Sequence, residues 1–420
     1  MLIFAYKLLT MNFLGKWFGN NKDSKFISYI SAMFGMSNSI SAFSESNAFS
    51  LALQLSEIFN PIDAIASRAS SITYEIQDSN GKAVTPNADE KRLMDNPNPL
   101  NSFGDLVYSM IFSELSDGNS YTYRADLRKS LKQSAIANIW SIPPNLVSIK
   151  YKSSIPDFFF IKDKSDFIDS YRVNFLNREL DPSSIIHRTS SFYRSSCANG
   201  LIEGRSPLTA VEKNINNLLA VYSARYKVYE NNGMAGILTR ASTTGNGEVA
   251  DVFSTSSRED IINDIMSRNG LTGDKKLLAV SSIPLSFIKT LGTISELQPF
   301  EETEADGIAI AGIFGVDKEL IPKKGSSTYT NKQNAEVSLW QNVIKGICWD
   351  VCRSLDRLFL LENGRHFVPI FDDVEVLQTD AKTKLEGDSL MIDNILKIES
   401  SGLQDNELLK KIMDSYANAR

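Results

Sequence analysis

The chain has 420 residues, 42% hydrophobic and 22% charged, which are the proportions of a folded globular protein and not of a long disordered chain. Its formal net charge is −6, so it lacks the overall basic excess of proteins that hold nucleic acid by neutralising phosphates. No stretch reaches about 18 uninterrupted apolar residues, so we expect a soluble protein with no membrane partner.

The first 47 residues have the least regular pattern. Residues 20–50 are rich in serine, asparagine and phenylalanine with little period, which predicts a flexible N-terminal arm over 1–47. The apolar run before them is broken by Lys7 and is too short to span a bilayer. Met11 is an alternative start of the protein.

Residues 48–203 combine helical and strand patterns. Apolar residues recur at helical spacing over 48–68, where Asn60-Pro61 predicts a break or a helix start, and again over 103–115. Alternating residues predict strands over 72–76, 137–151 and 157–189. This order predicts an α+β region with meandering strands.

The pattern changes at Gly204. Ser206-Pro207 is typical of a helix start, and apolar residues at steps of three or four then predict a helix of roughly 25 residues within 204–233. Residues 234–292 have the pattern of a small α+β insert. A second helix follows within 293–316.

A loop over 317–332 separates this helix from a third, predicted from about Gln333 to Leu361. The third helix has the strongest amphipathic pattern in the chain. Residues 366–377 are predicted as a strand that closes the region 333–385, and 386–420 as a pair of short helices.

No motif in the sequence identifies a catalytic site. The chain contains no GxxxxGK[ST] loop, no GxGxxG after a strand, no GxSxG and no HExxH. His187 follows two isoleucines near a strand end, which favours a structural histidine over a catalytic base. The acidic run Glu301, Glu302, Glu304 and Asp306 is predicted to spread around a helix as a solvated face.

The cysteines do not form a recognisable metal site. Cys348 and Cys352 lie one helical turn apart, but Cys197, His187 and His366 are poorly placed to complete a zinc site. We expect buried, reduced cysteines and no cofactor or metal. A metal-dependent hydrolase that uses aspartate and glutamate from distant segments stays open as an alternative.

Seven short motifs follow one another along most of the chain. They are Met11–Gly19, Asp117–Tyr121, Ile142–Val147, Ile185–His187, Gly204–Leu208, Ile308–Val316 and Ser327–Asn331. In this order they resemble segments of the siphovirus-type phage portal proteins, whose patterns include G-N-x-Y, G-x-S-P-l and F-G-V-P. Asp317 stands where the family usually has the proline after Gly-Val, and the spacing between Asn199 and Gly204 also departs from the family.

The resemblance implies an α+β portal fold with an α/β wing, a two-helix stem with an inserted α+β clip, a long wing helix and a small helical crown. The implied regions are the wing 48–203, the stem helices 204–233 and 293–316, the clip 234–292, the tunnel loop 317–332, the long wing helix and strand 333–385, and the crown 386–420.

The resemblance also implies a structural role and no enzymatic activity. Portal proteins form rings, usually of twelve copies, at one capsid vertex, and double-stranded DNA passes through the ring without sequence-specific contacts. The implied partners are the terminase large subunit, the head–tail adaptor, and the major capsid and scaffolding proteins, with assembly in the host cytoplasm and a final place in the virion. Another phage head–tail structural protein, such as an adaptor, is a second alternative, although adaptors are usually much shorter.

Two groups of site residues follow from the resemblance. For DNA they are the loop residues Lys323, Lys324, Ser326, Ser327, Thr328 and Tyr329. For the terminase and adaptor they are the clip residues Met234, Ile237, Arg258, Ile262 and Phe287. A channel with few basic groups lets a duplex slide, because each added phosphate contact would hold the DNA more tightly.

Overall fold

The structure is a computed structural model that describes residues 42–130, 133–153, 163–174, 177–190, 202–230, 236–240, 285–289, 299–322 and 328–378. The predicted arm up to residue 41 and the predicted crown lie outside the described residues, as do most of the insert and Cys197.

The first part of the described chain contains four helices: α1 (Ala48–Gln54), α2 (Ser56–Ser71), α3 (Ala88–Asp95) and α4 (Phe103–Asp117). The predicted break at Asn60-Pro61 is wrong, because α2 continues through Pro61. The proline removes only one hydrogen bond close to the helix start, and burial of Ile58, Ile62 and Ile65 in the core offsets that loss.

The strands form small antiparallel sheets. One sheet has the order β3 (Gln133–Ile142), β2 (Asn119–Ser130), β7 (Ile185–Thr189), and another has β4 (Val147–Tyr151), β5 (Ile168–Val173), β6 (Arg178–Leu180). The predicted stretch 137–151 therefore divides at Pro143-Pro144 into β3 and β4. The predicted stretch 157–189 supplies β5, β6 and β7.

A further sheet pairs an early strand of the described chain with its last strand. β1 (Thr73–Gln77) pairs antiparallel with β10 (His366–Ile370), with Thr73 opposite Ile370. The prediction of a strand over 366–377 is wrong after residue 370, because the chain turns there, with Val374 N–H donating to Phe371 O over 3.1 Å.

The second half of the described chain contains two more helices joined by the insert. After a 3₁₀ turn (Pro207–Val211) capped by Ser206, α5 spans Glu212–Glu230, and α6 spans Pro299–Ile313. Between them β8 (Gly236–Arg240) pairs antiparallel with β9 (Leu285–Lys289), so the two ends of the insert lie side by side.

The third predicted helix is longer at its start than the sequence indicates. It consists of α7 (Tyr329–Leu339), a π-helical turn (Trp340–Ile344) and α8 (Lys345–Phe359). It begins four residues before Gln333 because the Thr328 side chain caps it. It ends at Leu360, whose φ is +53°.

One large apolar core lies between these helices. It joins side chains from α1, α2, α4, α6 and the α7–α8 helix, including the buried Cys348 and Cys352. A smaller core lies under the β4–β5–β6 sheet around Ile168 and Tyr171. Within the described residues, no helix combines the length and apolar character needed to cross a bilayer.

Candidate functional site

The end of α6 sets the course of the chain into the predicted DNA loop. Gly315 has a φ of +70°, its N–H donates to Gly312 O over 3.0 Å, and Val316 N–H donates to Ala311 O over 3.1 Å. These two bonds form a Schellman motif, which needs a residue without a Cβ at the left-handed position. The Gly-Val pair of the sequence motif therefore ends α6 and turns the chain.

Gly315 also lies against the long helix. A Cβ at this position would lie 2.8 Å from Val343 Cγ2 in the π-helical turn. Phe314 and Val316, on either side, are buried in the large core. The turn is therefore packed between α6 and the long helix.

The segment that follows (residues 317–328, called the inter-helix segment below) begins at Asp317. Its carboxylate Oδ1 accepts the Glu319 N–H over 2.8 Å, which caps the 3₁₀ turn Lys318–Leu320. Proline, the usual family residue here, could not make this bond. Asp317 and Lys318 are exposed.

The structure describes only part of the predicted DNA contacts. Lys323, Lys324, Ser326 and Ser327 lie outside the described residues. Thr328 caps α7, with Oγ1 accepting the Asn331 N–H over 3.3 Å, so its oxygen already has a structural partner. Tyr329 is the first residue of α7 and its side chain is 82% exposed. Both residues thus belong to the helix start and not to a free loop.

The two helices that precede this segment are joined by a buried carboxylate. Asp306 on α6 accepts hydrogen bonds from Asn214 Nδ2 over 2.8 Å and Asn217 Nδ2 over 2.6 Å, both on α5. Glu301 and Glu302 are exposed, as predicted, but the prediction of a solvated face is wrong for Asp306, which is buried. The reason is the i, i+3 spacing of the two asparagines, which places both amides on one face of α5.

The structure describes two of the five predicted clip contacts. Met234, Arg258 and Ile262 lie outside the described residues. Ile237 on β8 lies opposite Ile288, and Phe287 on β9 lies opposite Leu238.

Three of the sequence motifs meet in one place, which we call the Asn119 junction and define by Gly118, Asn119, His187 and Gly204. Asn119 Oδ1 accepts from Gly204 N–H over 2.7 Å and from His187 Nε2 over 3.1 Å. Its Nδ2 donates to Gly204 O and to Asp117 Oδ1, each over 2.9 Å. All the hydrogen-bonding capacity of this buried amide is thus used.

The glycines of the junction are required by close backbone approach. A Cβ on Gly204 would lie 2.0 Å from Gly118 O, and a Cβ on Gly118, whose φ is +87°, would lie 2.4 Å from the carbonyl of Arg205. Ser206 completes the contact by donating its hydroxyl to Ser116 O over 2.6 Å. The G-N-x-Y and G-x-S-P-l motifs therefore specify one packed turn.

His187 is a buried member of this junction. Nδ1 lies 3.2 Å from the Tyr171 hydroxyl, and the ring stacks on Tyr121 at 4.5 Å. Because Asn119 Oδ1 is an acceptor, Nε2 carries the proton and Nδ1 accepts from Tyr171. Burial, with Lys164 nearby, lowers the pKa of His187 well below its usual value. The prediction of a structural histidine is confirmed.

The cysteines are also structural where they are described. Cys348 and Cys352 are buried in the large core beside Tyr74, and burial raises the pKa of the Cys348 thiol to about 11. Among the residues that the structure describes, no group of three histidine, cysteine, aspartate or glutamate side chains is placed to hold a metal ion.

Comparison with known proteins gives one family and several similar folds. The family model described as "Phage portal protein" matches residues 56–410. No curated protein matches the chain.

The chain shares its fold with solved structures, among them two chains of GTA particles. In "Neck of empty GTA particle computed with C6 symmetry" the matched chain is 17% identical, with a TM-score of 0.56 over 80% of this chain and 88% of that one. In "Neck of native GTA particle computed with C12 symmetry" the values are 16%, 0.53, 89% and 94%. An HK97-family phage portal protein from Corynebacterium diphtheriae is more distant, with 12% identity and a TM-score of 0.47 over 76% of this chain and 93% of that one.

Proposed function

The chain belongs to the phage portal protein family, a structural family of the capsid vertex, and on that premise we propose that copies of it close into a ring through which double-stranded DNA is packaged and ejected. A ring of twelve copies is the proposed form. The proposal gives the chain no reaction of its own.

The arrangement of α5, the insert and α6 supports this proposal most directly. Hydrogen bonds from Asn214 and Asn217 to Asp306 hold the two helices together. The β8–β9 pairing places the end of the insert beside its start. This is the layout that the family resemblance implies for a stem and its clip. The Gly315 turn then directs the chain into the inter-helix segment, the proposed tunnel loop.

The charge of the chain fits a channel in which DNA moves. B-DNA carries about one negative charge per 1.7 Å of its axis, so a strongly basic lining would hold it in place. With a net charge of −6, the chain as a whole has no basic excess. Lys323 and Lys324 would add one pair of cations per subunit, which gives weak, salt-screened contacts around the duplex.

The remaining partners belong to the same proposal. The insert 234–292 would face the terminase large subunit during packaging and the head–tail adaptor afterwards, and the wing would face the major capsid and scaffolding proteins. Because the sequence has no phosphate-binding loop, a partner ATPase would drive the DNA. Ring assembly would take place in the host cytoplasm, before the ring becomes part of the virion.

A packaging reaction tests this function. Proheads are assembled from the major capsid and scaffolding proteins with or without this chain, then incubated with terminase, ATP and DNA, and the DNase-resistant DNA is measured. We expect protected DNA only in proheads that contain this chain. Equal protection in both preparations would contradict the proposal.

A further inference from the structure

The first turns of α7 are exposed on nearly all sides. Residues 328–332 and 334 are exposed, and Gln333 between them is partly buried. The first buried side chain of the helix is that of Ala335, and the next is that of Leu339 at its end. A short helical segment with so little burial gains little from packing, so its direction depends on contacts further along the helix.

Glu336 provides such a contact. Its carboxylate accepts two hydrogen bonds from the Arg68 guanidinium on α2, Nε to Oε1 over 2.5 Å and Nη2 to Oε2 over 2.9 Å. This two-point pairing fixes the orientation of both groups. Arg68 Nη1 donates to Ala64 O over 2.8 Å, so the guanidinium is itself held on α2. Among the residues that the structure describes, no other side chain of α7 forms a hydrogen bond or ion pair outside the long helix.

The π-helical turn Trp340–Ile344 joins α7 to α8. There the N–H of Lys345 donates to Trp340 O, five residues earlier, where an α-helix would use the fourth. Long helices bend at such turns, which are frequent at functional sites. The turn is held on two sides, because α2 lies beside it and Gly315 packs against its Val343. α7 can therefore change direction at this turn while α8 stays in the core.

Two described parts of the inter-helix segment meet α7. Thr328, the last residue of the segment, caps the helix through its Oγ1. The 3₁₀ turn Lys318–Leu320, near the beginning of the segment, lies beside α7. A change in the direction of α7 therefore displaces the end of the segment and alters its contact with this first turn.

From these contacts we infer that the Arg68–Glu336 ion pair is a latch that positions the inter-helix segment, because it holds α7 in one direction relative to α2. When the pair is broken, α7 tilts at the π-helical turn and carries Thr328 with it. Arg68 and Glu336 are thus positioning residues, which act through α7 and do not contact DNA. The inference rests on the proposed function, in which the inter-helix segment is the tunnel loop.

A distance measurement within one subunit tests the latch. Spin labels on Thr330→Cys in the first turn of α7 and on Ser71→Cys at the end of α2 are measured by double electron–electron resonance, in a Cys197→Ser background. Cys348 and Cys352 are buried, and thermal melting confirms that each variant folds. Labelled copies are diluted into an excess of unlabelled ones, so that the distances detected lie within a subunit.

Breaking the pair should shift or broaden this distance. Thr330 lies about 15 Å along the helix from Trp340, so a tilt of about 20° at the π-helical turn moves it by about 5 Å. We expect a change of about that size in Glu336→Gln, which keeps the shape of the side chain but removes its charge. Arg365→Gln is the matched control, because it breaks a similarly buried ion pair, to Glu90 over 2.6 Å, that does not involve α7. The same distances in wild type and Glu336→Gln would overturn the latch.

Reversing the two charges separates the ion pair from a general loss of packing. Arg68→Glu and Glu336→Arg each place like charges opposite each other, so each variant alone should release α7. The double variant restores an opposite pair and should return the distance to its wild-type value. Release that persists in the double variant would overturn the assignment to this ion pair.

Packaging tests the link to the proposed function. Glu336→Gln should leave the ring intact but change the amount of DNase-resistant DNA that the proheads hold, and Arg365→Gln should not. A shifted α7 with unchanged packaging would overturn the positioning role, whereas wild-type proheads that protect no DNA would overturn the proposed function itself.

Discussion

The Asn119 junction and the inter-helix segment both contain motifs shared with the portal family, but they use glycine and polar side chains for different purposes. At the junction two glycines allow backbones to touch, and one amide satisfies four partners in a buried place. At Gly315 a glycine permits a left-handed turn, after which Asp317 and Lys318 are exposed. Glycine therefore serves close backbone packing in one motif and a change of chain direction in the other.

The largest expected effect is at the junction. Gly204→Ala would place a Cβ 2.0 Å from Gly118 O, and a backbone carbonyl cannot move away easily. We expect the free energy of unfolding to fall by about 3 kcal/mol, measured by urea denaturation. Gly312→Ala is the control, because its Cβ would meet nothing within 4 Å and alanine favours a helix by up to about 1 kcal/mol. Equal stability of the two variants would show that the junction is not tightly packed.

A smaller effect is expected at the Gly315 turn. Gly315→Ala forces a residue with a Cβ into φ of +70° and places that Cβ 2.8 Å from Val343 Cγ2. We expect a loss of about 2 kcal/mol in the free energy of unfolding. Adding Val343→Ala removes the contact but not the backbone strain. Gly315→Ala should therefore lower the free energy of unfolding by less in the Val343→Ala background than in the wild-type background. An equal loss in both backgrounds would contradict the packing of this turn against the π-helical turn.

The next prediction concerns the pH dependence of stability, which involves His187 of the Asn119 junction. Because the pKa of His187 is lowered in the folded protein, the unfolded chain binds more protons below the ordinary histidine pKa of about 6.5. Stability is therefore complete above that pH and is lost as the pH falls below it. Between pH 7.5 and 5.5 we expect wild type to lose about 1 kcal/mol more than His187→Gln, measured by urea denaturation. The same loss in both proteins would contradict a neutral, buried His187.

The smallest effect on stability is expected in the inter-helix segment. Replacing Lys323 and Lys324 with alanine should leave the ring and its melting temperature unchanged but alter the rate of DNA packaging or the retention of DNA. Replacement with glutamate should do so more strongly, and the effect should grow at low salt, because screening of exposed charges weakens as salt is removed. Packaging identical to wild type for both variants at low and high salt would show that the segment is only a connection.

Much of the helical structure could be predicted from the sequence, because the spacing of apolar residues directly indicates which face of a helix is buried. The α7–α8 helix and the start at Ser206-Pro207 are examples, and the prediction of a structural His187 rests on a similar local pattern. The burial of Asp306 depends on Asn214 and Asn217, roughly 90 residues away, and no local pattern shows that pairing.

Other features depend on contacts that the local sequence does not contain. The pairing of β1 with β10 joins residues at opposite ends of the described chain, and the continuation of α2 through Pro61 depends on the core around it. The meeting of Gly118 with Gly204 is of the same kind, although the presence of glycine in both motifs is a signal that could have predicted a close approach.

The central claim is that this chain closes into a ring, and electron microscopy of the purified protein tests it most directly. Class averages collected at micromolar concentration over a range of salt should show a ring with a central hole and a subunit number that native mass spectrometry gives as twelve. Compact monomers or dimers under all of these conditions, with no ring in any class, would contradict the account.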